Sequence, residues 1–131
     1  MPEYYFDHVH IISPDPQKTA EFYEKMLGAK KCGDRKLPDG RINVDIDLKG
    51  TAIKVAEPRA KPLLPTASST RYGVEHWGLR TDNIEAAVSE LQAKGVKFVQ
   101  DITQIPGVKI AFFVTPDEEL VELLERTSPT R

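Results

Sequence analysis

The chain has 131 residues, with 18 Lys and Arg against 20 Asp and Glu, three His and one Cys, a size that fits one domain whose core needs no disulfide or zinc staple. The lone cysteine excludes an internal disulfide and a multi-cysteine zinc site, and a net charge of −2 gives no reason to expect nucleic acid or anionic lipid as a partner. No apolar run is long enough to span a membrane and the first residues lack the pattern of a secretory leader, so a cytoplasmic location is expected.

Residues 6–12 read as a strand. A helix is predicted after them. Asp15 is placed to cap its free amides and Pro16 suits the first helical position, where no amide is needed. Ala20, Tyr23, Met26 and Leu27 form its apolar stripe, and Gly28 ends it. Residues 29–36 form a weaker strand. Residues 41–48 alternate cleanly, with Ile42, Val44, Ile46 and Leu48 on one face. Arg41, Asn43, Asp45 and Asp47 take the other, and both aspartates are expected to be solvated. Lys49-Gly50 turns the chain into a strand at 51–57. Residues 58–73 hold Pro58, Pro62, Pro65 and a Ser/Thr cluster, and read as a linker. A strand at 74–80 then leads to a second helix. Its start is predicted at Asp82, with Glu85 completing a capping box, and its stripe is Ile84, Ala87, Val88 and Leu91 up to Gly95. Strands follow at 96–101, 108–115 and 119–125.

The order strand, helix, three strands therefore occurs twice, over modules 6–57 and 74–125 of one domain. This is an α+β pattern of two βαβββ copies. Asp15 to Asp82, Ala20 to Ala87 and Gly28 to Gly95 are each offset by 67, whereas His8 to His76 is offset by 68. The one-residue difference is placed in the loop between strand and helix.

Titratable groups break several apolar strands. A strand feeding a helix normally packs its apolar face on that helix, so Val9/Ile11 and Trp77/Leu79 are expected to face the helices. His8, His10 and His76 then point to the opposite side. Glu122 interrupts Leu120-Val121-Leu123-Leu124, and a buried carboxylate needs a partner, a proton or a cation. Its counterpart at an offset of 68 is Lys54, which interrupts Ala52-Ile53-Val55-Ala56. Two imidazoles and one carboxylate suit a divalent ion with open positions, whether Fe, Zn, Ni, Co or Mn. Competing readings are hydrogen-bonded structural histidines, a Lys54–Glu122 ion pair, and a lysine reaching to solvent. His10 is read as a group supporting the ligands from behind, as an acid–base group, or as cavity lining. Cys32 is read as an ordinary strand residue, and Arg59, Arg71 and Tyr72 as surface groups flanking the linker.

The stretches Phe-Asp-His8-Val-His-Ile-Ile through Phe22-Tyr23 to Leu27-Gly28, Tyr72-Gly-Val-Glu-His76-Trp-Gly-Leu, and Ile110-Ala-Phe-Phe through Pro116-Asp117 to Leu-Val-Glu122-Leu resemble the vicinal oxygen chelate superfamily. That resemblance covers residues 6 to 126. It implies a curled, cup-shaped mixed sheet of glyoxalase-like fold, with His8, His76 and Glu122 as metal ligands. The remaining ligand position falls on Lys54, where glyoxalases and epimerases usually carry Glu or Gln. The leading expectation is a metal-dependent lyase or isomerase that chelates neighbouring oxygens of a small substrate and stabilises an enolate-like charge. In that reading Glu122, His10 and Lys54 are the catalytic candidates. The alternatives are an Fe(II) dioxygenase using the same triad and a metal-free binding protein of the bleomycin-resistance type. A homodimer is a further expectation from the family.

Overall fold

The computed structural model describes residues 3, 5–59, 72 and 74–128. The chain divides into two compact units, Met1–Leu64 and Pro65–Arg131. The first carries β1 (His8–Ile12), α1 (Pro16–Leu27), β2 (Lys30–Lys36), β3 (Ile42–Leu48) and β4 (Thr51–Ala56). The second carries β5 (His76–Arg80), α2 (Ile84–Ala93), β6 (Lys97–Ile105), β7 (Val108–Val114) and β8 (Leu120–Arg126). Each unit is thus one βαβββ module, as the order of sequence signals predicts. Most of the expected linker at 58–73, Arg71 included, lies outside the described residues.

Both units solve the same packing problem in the same way. In the first, the sheet order is β1-β4-β3-β2, with β1 parallel to β4 and the other pairs antiparallel. In the second it is β5-β8-β7-β6, again with the first pair parallel. Side chains alternate across a strand, so each sheet has one apolar face to cover. Ile11, Val44, Ile46, Ile53 and Val55 make that face in the first unit, and all are buried. Helix α1 lies on β3 and β4 with Ala20 and Tyr23 buried. In the second unit Ala111, Phe113, Val121 and Leu123 are buried, as are Ile84, Val88 and Leu91 of α2, which packs on β6, β7 and β8. Burying each large side chain is worth about 1.5–3 kcal/mol, which is why the helix and the sheet need each other.

The helix ends confirm one expectation and correct another. The Asp15 side chain accepts from the Lys18 amide, Pro16 opens α1, and Gly28 closes it at φ 73°. The second cap, however, is Asn83 and not Asp82. The Asn83 side chain accepts from the Ala86 amide at 3.0 Å, and Glu125 Oε1 accepts from the Ile84 amide at 2.8 Å. Asn83 stands 68 residues after Asp15, and buried Ile84, Val88 and Leu91 stand 68 after buried Pro16, Ala20 and Tyr23. The offset of 68 therefore runs through the helix. The missing residue falls at the helix C-terminal end, between Leu91 and Gly95, rather than in the strand–helix loop. Gly95, at φ 89°, still provides the left-handed exit that Gly28 provides in the first unit.

Candidate functional site

In the second unit, the parallel register sets His76 opposite Leu120 and Gly78 opposite Glu122. His76, Gly78 and Glu122 therefore share the face turned away from α2, as expected from the alternation. Glu122 is buried, with 8% of the residue exposed. His76 Nε2 lies 3.6 Å from Glu122 Oε2. That is too long for a hydrogen bond. It lies within ion-pair range, and an imidazole nitrogen and a carboxylate oxygen are donors that would suit a divalent ion. The other ring nitrogen, His76 Nδ1, is 2.9 Å from Glu75 Oε1. The Phe112 ring meets the imidazole edge-on at 5.1 Å between centroids. A buried carboxylate, a soft-edged imidazole and an apolar wall make a donor pair that fits a divalent cation.

In the first unit the same register sets His8 opposite Ala52 and His10 opposite Lys54. The antiparallel pairing of β3 and β4 then sets Asp45 opposite Lys54. His8, His10, Lys54 and Asp45 thus share the face away from α1. His8 Nδ1 is 2.6 Å from Asp7 Oδ2, and the His8 and His10 rings lie 6.3 Å apart. Lys54 Nζ donates to Asp45 Oδ1 at 3.0 Å, Asn43 Nδ2 donates to the same oxygen at 3.0 Å, and Arg35 Nε stands 3.5 Å from Asp45 Oδ2. Asp45 is therefore not the solvated residue that simple alternation predicts. Alternation finds the face but not the cross-strand partner. Burial works against the charge on Asp45, yet the hydrogen bonds from Asn43 and Lys54 outweigh it and hold the carboxyl below its ordinary value. For His10, burial, then the charges of His8, Arg41, Arg59 and Lys54, push the imidazole down and favour its neutral form.

The structure thus brings His76 and Glu122 together, and sets His8, His10 and Lys54 on the polar face of the other unit. Among the described residues no three His, Cys, Asp or Glu side chains gather as one metal-holding group. Lys54 is ion-paired with Asp45 of its own sheet. Cys32 is exposed, with Sγ 3.7 Å from the Lys30 carbonyl, consistent with an ordinary strand residue. Among the described residues no helix is long and apolar enough to cross a membrane. The contacts of Asp7, Glu75 and Asp45 were not anticipated. An acid directly before each of two histidines, 68 residues apart, is the signal that marks the first two.

Comparison with known proteins identifies the family. Residues 7–112 match the model of the glyoxalase/bleomycin resistance protein/dioxygenase superfamily. The human mitochondrial methylmalonyl-CoA epimerase is 30% identical over 103 residues, covering 76% of this chain and 58% of the epimerase. The lactoylglutathione lyase of Schizosaccharomyces pombe is 29% identical over 136 residues, covering 92% of this chain and 45% of the lyase. The chain therefore spans less than two thirds of either relative. A crystal structure of a superfamily member from Sphaerobacter thermophilus superposes with a TM-score of 0.71 at 26% identity, covering 95% of this chain and 98% of that one. The chain belongs to the glyoxalase/bleomycin resistance protein/dioxygenase superfamily, the vicinal oxygen chelate group that its motifs resemble.

Proposed function

We propose that the protein is a metal-dependent lyase or isomerase acting on a small substrate with two neighbouring oxygens. The observation that carries this reading is the His76–Glu122 pair, a buried carboxylate 3.6 Å from an imidazole nitrogen with no hydrogen bond between them. His76 and Glu122 are assigned as ligands of a divalent ion. His8, the counterpart of His76 at an offset of 68 in the other unit, is the further ligand candidate that the family resemblance implies. Bound there, the ion would supply Lewis-acid stabilisation of an enolate-like charge.

The chain's own residues would do the rest. His10, held neutral by burial and neighbouring cations, has a lone pair with which to take a proton from the carbon beside the substrate carbonyl. Lys54, anchored on Asp45, supplies positive charge beside His10. Glu122 would combine ligation with proton transfer. The similarity to an epimerase and a lyase supports proton-transfer chemistry of this class. A two-His-one-carboxylate donor set also favours a second reading, an Fe(II) dioxygenase. Oxygen uptake with catechol-like substrates after Fe(II) loading separates the two.

The test is metal analysis of the protein purified without chelator and after reconstitution with Fe(II), Zn, Ni, Co or Mn. One tightly bound equivalent per chain is expected. His76→Ala should weaken binding by more than the roughly 10–100-fold that loss of an orienting partner alone costs. A protein that takes up no metal under either condition is a metal-free binder, and the proposal fails.

A further inference from the structure

We infer that Asp7 and Glu75 are positioning residues, each holding the histidine that follows it in the orientation and tautomer a metal needs. The inference rests on the proposed ligand roles of His8 and His76. In both units an acidic side chain reaches the Nδ1 atom of the next residue, at 2.6 Å from Asp7 to His8 and 2.9 Å from Glu75 to His76. The two acids are separated by 68 residues, as are the two histidines.

Adjacent residues inside a regular strand point to opposite faces and do not meet in this way. The contact becomes accessible because both strands begin at the histidine itself, so the preceding acid lies outside the ladder. The repetition of that irregular start in two diverged copies is what separates it from a chance surface contact.

The chemistry follows from the imidazole. A neutral ring carries one N–H and one lone pair, and a carboxylate can only accept. A carboxylate at Nδ1 therefore puts the proton there and leaves the lone pair on Nε2. In the second unit Nε2 is the atom that faces Glu122. Carboxylate–histidine pairs of this kind fix ring orientation and raise ligand basicity, and losing the partner typically costs about 10–100-fold in metal affinity. The Glu75 side chain is 50% exposed and that of Asp7 is 86% exposed. Water competes less at Glu75, so the larger loss is expected there.

The experiment uses the full chain with Asp7→Ala, Glu75→Ala and the acceptor-retaining Asp7→Asn and Glu75→Gln. Nitrogen NMR of the metal-free protein reads the tautomer, and titration with Zn or Co reads affinity. The wild type should show the Nδ1–H tautomer at His8 and His76. Each alanine variant should lose it at its own histidine and bind metal about 10–100-fold more weakly, with the Asn and Gln variants losing less. Unfolding of the metal-free variants in urea should match wild type, because exposed ion pairs contribute little to stability. Wild-type metal binding with unchanged affinity in both alanine variants, or an Nε2–H tautomer at both wild-type histidines, overturns the inference. A wild type that binds no metal overturns the functional reading beneath it, a result the affinity series does not mimic.

Discussion

In the first unit β4 sets Lys54 beside His10; in the second β8 sets Glu122 beside Gly78. The backbones that hold these residues are the same. Both sheets have the same strand order, and both pair their first and last strands in the same parallel register. The difference lies one strand further in. Across from Lys54 stands Asp45, whereas across from Glu122 stands Phe112. The lysine is therefore answered within its own sheet by a carboxylate at 3.0 Å. The glutamate has an aromatic neighbour and an imidazole too far for a hydrogen bond. The two units repeat one scaffold, and the cross-strand partner differs: Lys54 is paired with a carboxylate of its own sheet, Glu122 with the imidazole of His76 at 3.6 Å. Burying a carboxylate is costly unless it is paired, and in a strand with Val121, Leu123 and Leu124 buried the partner of Glu122 is His76, at 3.6 Å.

The comparison rests on an offset of 68 that runs through both helices, and this is where it is most exposed to a stability test. Asn83→Ala should lower unfolding stability by about 1 kcal/mol, as removal of an N-cap does, while Asp82→Ala should be close to neutral. Chemical denaturation reads both. Equal losses, or a larger loss at Asp82, would return the second helix to the start that its sequence suggests.

A smaller effect concerns His10, which has glycine as its counterpart in the second unit. Its folded-state pKa lies below the ordinary value of 6.5. Between the two values the unfolded chain binds more protons, so wild-type stability should fall as the pH drops below about 6.5. His10→Gln should flatten that decline without affecting stability at pH 8. A parallel decline in wild type and variant would show that His10 titrates as a free imidazole.

Much of this was legible in the residues. The strand and helix order was readable because each helix carries a 3.6-residue stripe and each is closed by a glycine with left-handed backbone. The face carrying His8, His10 and His76 followed from alternation alone. The helix start at Asp82 misled because Asp82, Asn83 and Glu85 all favour caps, and the choice depends on Glu125, a residue 41 positions away that meets the Ile84 amide. The role of Asp45 was hidden for a related reason. Alternation assigns a face, but which residue answers which charge depends on the cross-strand register, and the register is set by Lys49-Gly50 and by the bulge between Lys31 and Gly33.

The central claim is that the polar face of the second unit holds a metal through Glu122, while the corresponding Lys54 does not. Titration of one divalent metal into Glu122→Ala and Lys54→Ala, side by side with wild type, tests it directly. The account predicts that Glu122→Ala loses more than the roughly 10–100-fold expected for an orienting residue, and that Lys54→Ala keeps wild-type affinity. Equal losses in the two variants, or wild-type affinity in Glu122→Ala, would contradict it.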